Sequence, residues 1–345
     1  MAEITYMRAK EAERADLHVH YDTLHNGQLL QTATQNRVVV LGALQRGMVQ
    51  MDKMAELVEQ GEALGITVLP GAEIFFKTPA GYHFELIALG FDPQNPRLHD
   101  LIDPRGNSNL SMTREKVAFQ SRFLQQQLGL DLSPVPQNQA ILDKVHSGET
   151  AETAYYLSLA ATLNPANEKT LEQYTSERSG KIWQHYQRRP QDQGDLARVL
   201  YWLHFSADSA VRPDLKAEST YRVWGDPLDP RKFIEVVREA NGVVVIAHPH
   251  FQHVNGEPPP YKFLPELLQL GVDGLEGYYA TPLQADLAKI AKEAGKLVLG
   301  GSGYDPSYHP SNRKLGFGDI NTRDMFIPAR EVLEQIEEYH AKTLA

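Results

Sequence analysis

Four times along the chain a helical stripe of apolar residues stops at a glycine, a short apolar run follows, and a histidine, aspartate or glutamate stands at or just beyond that run's end. Met54, Leu57, Val58 and Leu64 precede Gly65 and a run over 66–74 that carries Glu73. Phe233, Val236, Val237 and Ala240 precede Gly242, a run over 243–247 and His248. The stretch 263–270 precedes Gly271 and a run over 272–278 with Glu276, and Leu283, Leu287, Ile290 and Ala294 precede Gly295, a run over 297–303 and Asp305. A stripe at helical spacing buries one face, a glycine after it suits a left-handed helix end, and an apolar run without alternation suits a strand covered on both sides. Parallel strands alternating with helices put all their C-terminal ends on one face, and in a closed barrel those ends converge. The expected fold is therefore α/β, with Glu73, His248, Glu276 and Asp305 at one mouth.

A fifth strand brings the densest set of ligand types. Residues 16–27 read Asp-Leu-His-Val-His-Tyr-Asp-Thr-Leu-His-Asn-Gly. On an extended strand His18 and His20 leave the same face, with Leu17 and Val19 packing behind them, and His25 can reach the same place from a following loop. Several imidazoles and carboxylates at one mouth suit divalent cations. A carboxylate can bridge two such ions, which together polarise a phosphoryl or acyl oxygen and activate a water. With no cysteine in the chain, any metal must be held by His, Asp and Glu. No Ser-His-Asp arrangement with a nucleophile elbow is visible, and Gly300-Gly301-Ser302-Gly303 lacks the Lys-Ser/Thr of a phosphate loop.

The chain of 345 residues suffices for one large core or two smaller ones. Its 34 Lys and Arg against 44 Asp and Glu, a net charge of −10, disfavour a broad nucleic-acid surface and leave at most a small nucleotide. Met1 to Arg8 hold no apolar signal core, and no stretch approaches the ~18 apolar residues of a membrane span, so a cytoplasmic protein is expected. Residues 83–91 read as a further strand and a helix from Pro328 closes the chain, while 37–48 fit a strand or a helix equally. Between about 111 and 225 the alternation disappears: a clear helix over 113–128 is followed by Gln-rich and charged stretches with Trp183, Trp202 and Trp224. The expected organisation is a barrel from 1–110 and 226–345 and a mostly helical insertion over 111–225, acting as lid or interface.

Asp16-Leu17-His18-Val19-His20, Pro70-Gly71-Ala72-Glu73-Ile74, Ile246-Ala247-His248-Pro249-His250 and Gly301-Ser302-Gly303-Tyr304-Asp305, in this order, resemble the PHP (polymerase and histidinol phosphatase) superfamily, and its stand-alone metal-dependent phosphoesterases in particular. The resemblance covers about 14–110 and 226–320, and 114–128 is similar to a helix the family often has. It implies a distorted barrel of seven strands, a (β/α)7-type fold, with two or three divalent ions, typically manganese, zinc or iron. His18 and His20 match the first motif, Glu73 the bridging glutamate and His248 the histidine of Ala-His-Pro. His25 stands where the family has an aspartate. In the last motif, normally Gly-Ser-Asp-x-His, Gly303 replaces the aspartate and Asp305 the histidine, with His309 near enough to compensate; His83 is a candidate for the histidine of the strand after the bridging glutamate. The family's strand ending in Thr-Asp-His has no counterpart.

The resemblance and the residues together lead to a hydrolase that cleaves a phosphomonoester or related phosphate ester with a metal-activated water, on a small phosphorylated substrate. Its metal ligands would be His18, His20, His25, Glu73, His248 and Asp305, with His83 and His309 in reserve. Arg114, Arg313, His250 and Glu276 are the candidate substrate contacts, and Lys314 and His253 fall nearby; Glu276 can equally orient a ligand imidazole. Asp16 and Asp22 fit supporting or turn positions. The rival expectations are the same metal fold hydrolysing a carbon-centred ester, lactone or amide, and a degenerate barrel that binds without catalysis.

Overall fold

In the computed structural model the described residues are 13–21, 26–46, 49–77, 83–103, 110–148, 153–172, 193–205, 228–249, 260–278, 284–304, 313–315, 318–319 and 327–343. The chain divides into two compact units, one of residues 1–102, 228–253 and 257–345, the other of 103–227 with 254–256.

The first unit is built on a mixed, curled seven-stranded sheet in the order β1 (Arg14–His20), β2 (Val38–Arg46), β3 (Thr67–Lys77), β4 (His83–Leu89), β5 (Val243–Ile246), β6 (Gly274–Tyr278), β7 (Leu297–Gly300). Within 37–48, which fits either period, Val38–Arg46 is a strand, preceded by helix α1 (Asn26–Gln35). Helices α2 (Met51–Ala63), α8 (Pro230–Glu239), α9 (Leu264–Leu268) and α10 (Gln284–Glu293) precede β3, β5, β6 and β7, as the repeating pattern predicts, and α3 (Pro96–Ile102) follows β4. Asp229 caps α8, its side chain accepting from the Arg231 N–H at 2.9 Å. The turns behind these helices need a left-handed residue: Gly65, Gly271 and Gly295 have φ of 73°, 92° and 65°, but behind α8 that place is taken by Asn241 at 61°, not by Gly242.

One strand departs from the parallel rhythm. β4 runs antiparallel to both β3 and β5. A seven-residue run such as 83–89 has the same composition whichever way it points, so only its pairing shows that its first residues, not its last, lie beside the C-terminal ends of the parallel strands. β3 also runs on past Glu73 to Lys77 to form the hairpin, which leaves Glu73 inside a strand and not at its tip.

The sheet curls until its two edges meet. His20 N donates to Tyr304 O at 2.7 Å and Gly303 N to His18 O at 2.8 Å, while lower on the same edge Ala15 N donates to Ile327 O. Between these, the wholly buried Asp16 accepts from Ser302 N at 2.8 Å. The result is a distorted barrel. Its interior holds Leu17, Val40, Leu44, Leu69, Ile87 and Val245 among others, into which α11 (Ala329–Thr343) packs Val332, Leu333 and Ile336. A separate apolar layer, with Val19, Leu41, Met54, Phe84 and Phe233, lies between sheet and helices. At the far end, where the parallel strands begin, buried Asp273 accepts from Val244 N (2.7 Å), Arg238 Nε (2.9 Å) and the Tyr339 hydroxyl, tying α8, β5 and α11 together. A short hairpin of β8 (Arg313–Lys314) and β9 (Gly318–Asp319) stands apart from the sheet.

The second unit is helical in its described residues: α4 (Leu110–Leu128), α5 (Gln139–His146), α6 (Thr153–Leu163) and α7 (Gln193–His204). α6 is buried along nearly its whole length, with Tyr156, Leu157, Ala160 and Ala161 in a core that Val117, Leu124, Leu142 and Leu200 complete. Where α6 ends, buried Asn138 and Asn167 donate to the carbonyls of Ala160 (3.2 Å) and Ala161 (2.8 Å), satisfying groups that helix geometry leaves open. No described helix in either unit is long and apolar enough to cross a membrane.

Candidate metal centre

His18 and His20 reach the barrel mouth through an irregularity in β1. Asp16 pairs with Leu41 and Val19 with Ala43, so three steps along β1 match two along β2: a bulge of one residue. Leu17 therefore points into the barrel and Val19 into the sheet–helix layer, where a regular strand would have put them together behind the histidines. Beyond the bulge His18 and His20 keep a common face, 1% and 6% exposed, with their Nε2 atoms 3.3 Å apart.

Four more side chains meet them. Glu73, 4% exposed, brings Oε1 to 3.4 Å from His18 Nε2 and Oε2 to 3.8 Å from His20 Nε2. His248, two residues past the end of β5, has its Nε2 3.0 Å from Glu73 Oε1 and 3.3 Å from Glu85 Oε2. Glu276 in β6 faces His18 Nδ1 at 2.9 Å through Oε1, and its Oε2 accepts from the His248 N–H at 2.6 Å. Three triads, His18–His20–Glu73, His18–His248–Glu276 and Glu73–Glu85–His248, each bring their ligand atoms within 4.8 Å of one another.

Glu276 decides which nitrogen of His18 is available. An ionised carboxylate only accepts, so Nδ1 carries the proton and Nε2 presents its lone pair to Glu73 and His20. Electron-rich atoms at 3.3–3.4 Å in a buried pocket need positive charge among them. A second proton on an imidazole supplies it in the bare protein, and a divalent cation supplies it with better-matched ligands. The donor set fits a metal. The same proximity governs the carboxyls. Burial pushes the Glu73 carboxyl up, but the charge of His18, a hydrogen bond from His248 and the charges of His20 and His248 outweigh it and hold it well below the usual glutamate range. Burial likewise raises Glu276, and His18, by charge and hydrogen bond, together with His248 brings it below that range. Both acids are thus charged ligands or anchors at neutral pH. Glu276→Gln keeps the size but has no charge and one acceptor oxygen in place of two, so it cannot serve both His18 Nδ1 and the His248 N–H, and is expected to weaken metal binding about 10–100-fold. Equal metal affinity by competitive titration would refute the anchoring role.

Of the expected ligands, His18, His20, Glu73 and His248 come together here; His25, Asp305 and His309 lie outside the described residues. His83 begins β4, paired with Lys77, and its side chain is not among those described. Among the expected substrate contacts, Glu276 is engaged by His18 and His248, and Arg114 is exposed on α4 of the second unit. Arg313 lies on β8 with its side chain outside the described set, and His250 falls outside it altogether. Sequence reasoning passed over Glu85. Its signal was a single carboxylate within the apolar run 84–91, uninformative until the direction of β4 is known.

Comparison with known proteins gives the chain a relative in sequence and two in fold. A phosphoribosyl 1,2-cyclic phosphate 1,2-diphosphodiesterase from Eggerthella lenta is 35% identical over 82 residues, 23% of this chain and 29% of that protein, so the match spans less than a third of that relative's length. The crystal structure of a proposed metal-dependent phosphoesterase from Bifidobacterium adolescentis superposes with a TM-score of 0.58 at 20% identity, covering 94% of this chain and 96% of that one. An amidohydrolase from Chromobacterium violaceum, solved with sulfate and no metal, gives 0.53 at 16% identity over the same shares. At these identities the two structures are relatives in fold. No family model matches the chain. In fold this chain resembles a proposed metal-dependent phosphoesterase, and over 82 residues its sequence resembles a phosphodiesterase, consistent with the PHP-type phosphoesterase resemblance of its motifs.

Proposed function

We propose that the protein is a metal-dependent hydrolase that cleaves a phosphate ester of a small substrate. The observation that carries this reading is the convergence of His18, His20, Glu73 and His248, with Glu276 behind them, at the mouth of a barrel whose interior is otherwise apolar. The curated relative acts on a cyclic phosphate diester, and its match in sequence favours phosphorus over carbon as the reacting centre. Divalent ions, when bound, polarise the ester and make a water nucleophilic at neutral pH. The chain's own residues do the rest. Glu276 keeps the His18 proton on Nδ1 and holds the His248 backbone, so that both Nε2 atoms face inward. Glu73 lies between the imidazoles and sets the negative charge of the site. Bound manganese, zinc or iron would be held by these four residues, with His25 and Asp305 as further donors.

The fold relation to an amidohydrolase keeps hydrolysis of an amide or lactone as the second reading. One panel separates the two. Metal-loaded protein is incubated with an aryl phosphate, a cyclic phosphodiester, an aryl ester, a lactone and an amide, before and after chelation. Hydrolysis of the aryl phosphate to free phosphate, or opening of the cyclic phosphodiester to a phosphomonoester, that disappears on chelation and returns with manganese or zinc is expected. Turnover of the lactone or amide with neither phosphate ester hydrolysed would overturn the phosphoesterase reading, and phosphate ester hydrolysis that survives chelation would overturn its metal dependence.

A further inference from the structure

Glu85 belongs to none of the motifs that carry the family resemblance, yet it lies at the centre. The antiparallel β4 brings it there: Leu86 pairs with Ile246, Ala247 N donates to Glu85 O at 3.0 Å, and the next residue, His248, has its Nε2 3.3 Å from Glu85 Oε2. One imidazole nitrogen thus stands between two carboxylates, Glu73 at 3.0 Å and Glu85, 20% exposed, at 3.3 Å, and two carboxylates so close need positive charge between them. On the opposite side β2 supplies no imidazole among the described residues. β2 pairs with β3 up to Arg46 opposite Glu73, and the last of its residues with a described side chain, Gln45, uses its carbonyl oxygen to accept from Gln50 N at 2.7 Å. A strand that supplies no imidazole on one flank and a carboxylate supplied on the other change the chemistry of the centre.

We infer that Glu85 is a metal ligand of this centre, forming with Glu73 and His248 an oxygen-rich position for a hard divalent cation such as manganese, next to a nitrogen-rich position formed by His18, His20 and Glu73. The inference rests on the metal reading above and deepens it. The two triads share Glu73, whose Oε1 faces His18 and His248 and whose Oε2 faces His20. Two imidazoles and one carboxylate suit zinc or iron; two carboxylates and one imidazole shift preference toward manganese or magnesium, because carboxylate oxygen is the harder donor. The centre therefore discriminates between its own two positions.

The test reads metal content and spectra without reference to activity. Wild type, Glu85→Gln and Glu85→His are stripped with chelator, given one equivalent of zinc and then dialysed against a large excess of manganese, and analysed for both elements per chain, with circular dichroism on the same samples. Wild type is expected to hold about two equivalents, one of them manganese with an electron paramagnetic resonance signal of a bound ion. Glu85→Gln is expected to lose the manganese and keep the zinc, and Glu85→His, when given a second equivalent of zinc, to hold that one too. Manganese retained by Glu85→Gln at the wild-type level would overturn the assignment of Glu85 while leaving the metal reading intact. A wild-type protein that takes up neither ion would overturn both.

Discussion

Glu73→Gln is expected to lower kcat/KM for an aryl phosphate by about three orders of magnitude, with the fold intact. The carboxylate is the one side chain common to the two triads proposed as metal positions, His18–His20–Glu73 and Glu73–Glu85–His248, so its amide replacement removes the shared anionic donor from each at once. Loss of that charge costs about 4 kcal/mol of transition-state stabilisation, which corresponds to roughly 10³ in rate. Some stability should be lost in the metal-free protein, since the imidazoles around Glu73 hold its carboxyl charged and the isosteric amide takes that partner from them. The informative pair of measurements is steady-state turnover at saturating metal and thermal melting of the apo form. A folded Glu73→Gln protein with unchanged turnover would remove Glu73, and with it the proposed centre, from the chemistry.

The second large effect is expected at a residue that is not itself a ligand type but abuts His18. Gly301 follows β7 at the seam where the sheet closes, and a methyl group there would lie 2.1 Å from His18 N and 2.6 Å from Asp16 Oδ1. Neither neighbour can give way. His18 N is backbone, and Asp16 is pinned by Ser302 N. Gly301→Ala is therefore expected to cost at least about 3 kcal/mol, the upper range for overpacking a closed site, read as a lowered denaturant midpoint. Because the strand displaced is β1, metal affinity should fall in the same variant although no ligand is replaced. Wild-type stability together with wild-type metal binding would show that the seam is looser than its geometry requires. Together the two variants separate the charge of the centre from the backbone that aims it.

Much of the architecture was legible in the residues. The helical stripes of α2, α8 and α10, the helix stops behind them and the unbroken apolar runs of β5 and β7 are local patterns, each readable within a window of a dozen residues. Ligand types at or beyond the ends of such runs were local too, so Glu73, His248 and Glu276 stood out, and the i, i+2 spacing of His18 and His20 placed them on one face. The resemblance to a metal-dependent phosphoesterase barrel followed from those same motifs. Tertiary structure decided what depends on a partner strand. Whether 37–48 is strand or helix turned on β1 and β3 being there to pair with it. The bulge that sends Leu17 and Val19 to different layers exists only as a mismatch of register between β1 and β2. Glu85 enters the centre because β4 runs backwards, and Glu276 is an anchor because His18 stands 2.9 Å away across the barrel. Side-chain periodicity is written in the chain, since it follows from the geometry of one strand or helix. Strand direction, register and the meeting of side chains are set by hydrogen bonds and packing between segments as far apart in the chain as Ala15 and Ile327, and no local pattern records them.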